Sequence, residues 1–219
     1  MLSLVFASTA AAVPITGSLR VPSNLAPETP PRDAPTSPNW ERPNGVVDTR
    51  PPRIDVRREM AVVLVGDLTA GERPASNFQL HGGALQPSTM VAQQGTTLRI
   101  ENTDACSHEL QSEAIEGFAP LTTAPGNART VPIPETGSFE VTDRLYGHVQ
   151  GHLHVVSNLV ARATVGADGR FRFADVPPGT YTLKAFYRAH EVASREITVE
   201  DGREFALEEP VALSLPEAD

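Results

Sequence analysis

Apolar positions along this chain recur at a spacing of two over short stretches, and nowhere do they hold a helical period. Ala61-Val62-Val63-Leu64-Val65 is a brief apolar run ended by Gly66, which predicts a buried strand. Phe78-Gln79-Leu80, Met90-Val91 leading to the Gln93-Gln94-Gly95 turn, Thr97 to Ile100, Arg129 to Ile133 and Ser138 to Val141 predict further strands, parted by Gly, Pro and Asn. Ile15 to Val21 forms an earlier one.

After His148 the pattern predicts a longer strand through Val156 and another from Val160 to Val165. Ala167-Asp168-Gly169 is a hairpin signal leading to the alternating Phe171-Arg172-Phe173. Val176-Pro177-Pro178-Gly179 reads as a turn, because proline presets the first turn torsion and glycine accepts a positive one. Tyr181 to Ala185, Ser194 to Val199 and Glu204 to Leu207 complete the strands, and an acidic tail frays from Pro216. Strands this short and this closely spaced predict an all-β protein of sandwiches.

Two stretches fall outside that pattern. Nine prolines between Pro22 and Pro52 mark a linker or surface-hugging arm, and Trp40, the only tryptophan, is expected to anchor it. Leu2 to Ala12 is apolar and small, closing in Ala10-Ala11-Ala12, as in a secretory signal, although the first basic residue is Arg20. Eleven such residues are too few to span a bilayer. Export to the periplasm or the cell exterior is therefore the expectation.

Composition narrows the functions. Acidic residues outnumber basic ones 27 to 18 without any Lys/Arg-rich block, which removes the phosphate-neutralising surface that nucleic-acid binding needs. One cysteine, Cys106, excludes an internal disulfide framework. A nucleophile elbow, a phosphate-cradling glycine loop, a helical H-E-x-x-H and a dinucleotide fingerprint are all missing, so no enzyme is predicted.

Gly95 to His108 has the form G-x-x-L-x-I-x-N-x-D-x-x-x-H. It resembles the strand and loop that deliver the first copper histidine of plastocyanin-like proteins, the cupredoxins. The resemblance implies a Greek-key sandwich over about residues 59–158, and a Cys-x-x-His pair with a following Met to complete a copper site. With His148 taken as the second histidine, Leu145 stands at the cysteine position and the methionine position falls near Gly151. Without thiolate a type-1 copper centre is not expected.

The run from Asp168 to Leu183 is similar to carboxypeptidase regulatory-like, transthyretin-like modules, in which D-G-x-F precedes P-P-G-x-Y-x-L. That likeness implies a small β-sandwich over 159–215, with Phe171, Phe173, Tyr181 and Leu183 inward, serving as a binding or structural accessory. Those residues alone are short for the module, and strands 15–21 and 61–65 can complete it. The cupredoxin-like unit then either follows an arm over 13–58 or is inserted in the module.

The candidate chemistry is a set of histidines. Residues two apart on a strand share a face, so His148, His152 and His154 would point the same way, with His108 opposite and His81 more distant. His108, His148 and His152 can hold copper or zinc without a thiolate. The alternative is a solvent-facing polar strand with no cofactor. Cys106 reads either as a substitute thiolate or as a small apolar residue. Asn102 and Asp104 are expected to satisfy loop backbone donors. The leading expectation is a non-enzymatic binding or structural protein with an unknown protein or cell-envelope partner. A His-based Cu(II)/Zn(II) carrier or sensor is the alternative. Carbohydrate binding, with Phe186 and Tyr187 as stacking candidates, is a third.

Overall fold

A computed structural model describes residues 11–22, 55–67, 74–133 and 135–215. The expectations for the signal segment through residue 10, the Pro-rich arm with Trp40, and the tail from Pro216 lie outside the described residues. The first strand, β1, is Val13–Arg20, and one helical turn, α1 at Val56–Glu59, runs directly into β2 at Met60–Val65. Eight strands follow: β3 Ser76–Leu80, β4 Leu85–Gln86, β5 Thr89–Gln93, β6 Thr97–Asn102, β7 Leu110–Gln111, β8 Ala128–Pro132, β9 Gly137–Asp143 and β10 Gln150–Val156. The last seven are β11 Leu159–Arg162, β12 Thr164–Val165, β13 Arg170–Val176, β14 Gly179–Tyr187, β15 His190–Val199, β16 Phe205–Ala206 and β17 Val211–Ala212.

These strands form four sheets, ordered β4-β3-β6-β8, β5-β10-β9-β7, β11-β2-β14-β15 and β12-β13-β1-β16, with β17 also pairing with β1. The first two enclose one core, built from Phe78, Leu98, Ile100 and Val131 on one side and Met90, Val141, Leu153 and Val155 on the other. Parallel pairing of β3 with β6 and of β5 with β10 makes its topology a cupredoxin-like Greek key rather than a run of hairpins. The other two sheets enclose a second core of Ile15, Phe171 and Phe173 against Val62, Leu64, Tyr181 and Leu183. A small third cluster, Val63, Val91, Leu159 and Phe186, lies between the sandwiches.

Side-chain alternation explains how one strand serves two cores. On β2, Met60, Val62 and Leu64 enter the second core while Val63 enters the junction. On β5, Met90 and Ala92 face the first core and Val91 the junction. Both strands are covered on both faces, which is why Ala61 to Val65 reads as a continuous apolar run instead of an alternating one. The four sheets are thus stacked in layers, with the junction as the middle contact. Arg162 on β11 pins it: Nε donates to the Val91 carbonyl at 2.7 Å, Nη1 to the Ala75 carbonyl at 2.7 Å, and Nη2 to Ser76 Oγ at 3.2 Å. Burial pulls its pKa down to about 10.

One expected boundary changes. Residues 60–65 pair with β14 and β11, so the cupredoxin-like sandwich starts at Ser76 rather than at 59, and in chain order β3 to β10 lie between β2 and β11. The predicted hairpin at Asp168-Gly169 joins β12 to β13, with Gly169 at φ 78° where a left-handed backbone favours glycine. Val176 to Gly179 carries the chain from β13 in one sheet to β14 in the other, and Tyr181 Oη donates to the Pro177 carbonyl at 2.8 Å across that turn.

Candidate functional site

The polar centre of the molecule forms where β9 ends and the loop between β6 and β7 folds over it. Side chains on β9 alternate, so Val141 and Asp143 face the cupredoxin-like core while Glu140 and Thr142 face away. The loop brings His108 to Asp143. Its Nδ1 lies 2.6 Å from Asp143 Oδ2, and both side chains are sealed from solvent, at 1% and 0% exposure. Asp143 Oδ1 meanwhile accepts the backbone N–H of Leu145 at 2.7 Å and of Tyr146 at 3.2 Å. A carboxylate so placed accepts rather than donates, which puts a proton of the His108 ring on Nδ1.

Around Nε2 stand two further groups. Asp104 Oδ2 is 3.2 Å away and the Cys106 sulfur 3.4 Å. Asp104 is held by the backbone N–H groups of Gly82, at 2.5 Å, and Gly83, at 2.9 Å. Burial pushes its carboxyl up, but these N–H groups and the His108 ring pull it down further, and it ends below the usual carboxylate range. Asn102 braces the loop, its Nδ2 donating to the carbonyls of Cys106 and Thr123 at 2.9 Å each. Both polar side chains thus satisfy or fix loop backbone, as their residue types led us to expect. The Tyr146 ring sits 5.1 Å from the His108 ring and 6.1 Å from that of His148.

The other predicted histidines are dispersed. His148 is exposed in the turn before β10, near Gly83. His152 and His154 lie on β10 opposite Glu140 and Ser138, on the face turned away from Asp143 and toward the second sandwich. His154 is buried there, its Nδ1 2.8 Å from Ser138 Oγ and its Nε2 2.6 Å from the Arg188 carbonyl, with its ring stacked on Phe186 at 4.2 Å. His81 is exposed beside Thr103. The structure therefore does not bring His152 to His108, because the pleat of β10 turns His152 and His154 to the opposite face from Asp143, whereas His148 stands beside the same Tyr146 ring as His108. Phe186, a candidate for sugar stacking, is only 4% exposed and belongs to the junction, while Tyr187 is half-buried against the second core.

Residues 140–212 match the family model of the carboxypeptidase regulatory-like domain. The carboxypeptidase regulatory-like match begins on β9 and β10, which pair within the other sandwich, and runs through the strands that fill the second core. The chain pairs this module with a cupredoxin-like sandwich. Among solved structures, an oxidised mutant of amicyanin is similar at 16% identity, covering 37% of this chain and 82% of its own, with a TM-score of 0.35. A purple cupredoxin from Nitrosopumilus maritimus shares 18% identity over 37% of this chain and 100% of its own, TM-score 0.34. A copper-containing nitrite reductase from Thermus scotoductus SA-01 shares 17% identity over 43% and 25%, TM-score 0.34. No curated protein matches.

Copper is the ion that a cupredoxin-like fold implies, and the donor set can be tested against it. A type-1 centre needs a thiolate and imidazole nitrogens converging on one point. Here the side chain facing His108 Nδ1 is the Asp143 carboxylate, and the one thiol is on the Nε2 side of the ring. Among the described residues no three His, Cys, Asp or Glu side chains form a group able to hold a metal ion. The residues do not fit type-1 copper. Leu145, which the sequence placed at the cysteine position, is instead 47% exposed and two residues beyond the strand end. Gly151 cannot give way to methionine, since a Cβ there would lie 2.7 Å from both Leu85 Cδ1 and the Ser88 carbonyl. Sequence reasoning missed Asp143 and Tyr146. The signal that could have found them is the carboxylate closing the alternating Phe139-Val141-Asp143 face.

Proposed function

We propose that the protein is an exported, non-enzymatic binding or structural protein whose cupredoxin-like sandwich does not carry type-1 copper. The observation that supports this best is the buried Asp143 carboxylate, which at 2.6 Å already engages Nδ1 of His108, with Leu145 at the cysteine position of the resemblance. A carboxylate is a harder donor than thiolate, and here it is already saturated by backbone N–H groups and the imidazole. Support for export comes from the apolar, small-residue run of Leu2 to Ala12.

Titration of the purified protein with Cu(II) tests the reading. The expected result is a spectrum without intense visible thiolate-to-copper absorption, and a blue or purple protein would overturn it. Elemental analysis of protein isolated without chelators bears on the carrier alternative: one equivalent of copper or zinc without that colour would favour a His-based carrier. Mass spectrometry of the N-terminus in envelope or secreted fractions should find a chain starting near Val13, and an intact Met1 in those fractions would count against cleavage.

A further inference from the structure

A cavity of about 560 Å³ opens between the two sandwiches, on the side where α1 runs into β2. That volume falls among small-ligand sites, which span about 300–1,000 Å³ and favour domain interfaces. Both sandwiches line it: Phe78 on β3 and Val91 on β5 from one, Ala61 on β2 and Arg162 on β11 from the other. Ala61, Pro87, Ala163 and Val165 stand half-buried on its wall, so the apolar surface it offers is aliphatic. The Phe78 ring adds little stacking surface, being 7% exposed with the Arg162 Cζ 5.5 Å from its centre. The charge on the wall is one-sided. Arg57, Arg58 and Arg162 line the cavity against the carboxylate of Asp55, in a chain whose net charge is −9. Among the described residues no ion pair engages any of these three arginines. The hydrogen bonds of the Arg162 guanidinium go to two carbonyls and a hydroxyl, all uncharged, and leave two of its five N–H groups over. Burial alone lowers its pKa, without a carboxylate to hold it up. A guanidinium so desolvated gains more from an anion than an exposed one does, because less water screens the pair. Pinning the junction accounts for Arg162 but not for Arg57 and Arg58. Both side chains are exposed, and Arg58 is held through its backbone, the carbonyl accepting from the N–H and Oγ of Ser88.

We propose that this cavity binds a small amphipathic anion, a carboxylate at the end of a medium-length aliphatic chain. The carboxylate is taken by Arg57, Arg58 and Arg162, since the planar guanidinium matches its two oxygens, and the chain lies along the aliphatic wall. Charge and apolar surface are both needed. A bare anion would leave the wall wet, and an uncharged chain would leave the arginines without a partner. The cavity shares no residue with the His108 and Asp143 centre, so this inference goes beyond the function proposed above and does not depend on it.

The test titrates the full isotope-labelled chain with sodium octanoate below its micelle point, and separately with octanol and with sodium acetate, which present the chain and the charge alone. Proton–nitrogen correlation NMR is the readout. Octanoate should shift the backbone amides of Ala61, Val91 and Ala163 and the Nε–H of Arg162. It should also bind at least about tenfold more tightly than either octanol or acetate. Arg57→Gln combined with Arg58→Gln keeps the backbone carbonyl that holds Ser88, and should weaken octanoate about tenfold while leaving the rest of the spectrum in place. Octanoate that shifts no resonance at the cavity, or octanol that binds there as tightly as octanoate, would overturn the proposal. That comparison needs no variant and stands even if the double variant does not fold. An octanoate affinity unchanged in the folded double variant would overturn it as well.

Discussion

Replacing Asp143 by alanine removes the acceptor around which the strand end and the histidine loop are organised. Oδ1 accepts from Leu145 at 2.7 Å and from Tyr146 at 3.2 Å, and Oδ2 from His108 at 2.6 Å; the Glu109 N–H at 3.4 Å is too long to weigh equally. Hydrogen bonds to a charged group contribute about 1.5–3 kcal/mol each, and donors left without partners lose their solvation as well. Two strong bonds and one weaker bond at a fully buried carboxylate give an expected loss of about 3–5 kcal/mol, the range for removing one partner of a buried pair. Urea unfolding followed by far-ultraviolet circular dichroism at pH 7 measures it. Asp143→Asn separates the contributions, since its amide oxygen can still serve Leu145 and Tyr146 while its NH2 faces Nδ1. The ring proton then moves to Nε2, and the expected cost falls to about 1–2 kcal/mol. Long-range proton–nitrogen NMR of the imidazole reports the tautomer directly. An alanine variant within about 1 kcal/mol of the parent, or a His108 ring protonated only at Nε2 in the parent, would refute this account of the site.

Burial pushes His154 below the ordinary histidine range, so the folded protein holds it neutral while the unfolded chain takes up a proton near pH 6.5. Stability is therefore full above that pH and declines as the pH falls through it toward the folded value, and His154→Gln should flatten the fall in urea midpoint between pH 8 and 5. An unchanged slope would locate the acid sensitivity elsewhere. Gly151→Ala should destabilise by about 1–3 kcal/mol in the same assay, because its Cβ would meet Leu85 and the Ser88 carbonyl at 2.7 Å. Phe173→Ala, at a fully buried position of the second core, should cost about 3–5 kcal/mol, and a cost below about 1 kcal/mol would mean that core is not packed as described.

Sequence pattern alone carried the all-β class, most of the strand positions and the inward set of Phe171, Phe173, Tyr181 and Leu183, because a strand's alternation is local and each turn announces itself in Gly, Pro and Asn. It missed β4, β7 and β17, two residues each, which are too short to show a period and exist only because a partner strand lies alongside. It also named His108 and the Asn102–Asp104 loop correctly as one structural unit. What it could not decide was which residue meets His108. Counting back from His148 set Leu145 at the cysteine position of the resemblance and was silent on Asp143, which the pleat of β9 turns to His108, while the register of β9 and β10 sends His152 and His154 to the other face. The union of β1 and β2 with strands more than a hundred residues later was likewise one of two arrangements the sequence allowed. Pairing across such distances depends on which faces can be covered at once, and that is a property of the packed layers, not of any single stretch of chain.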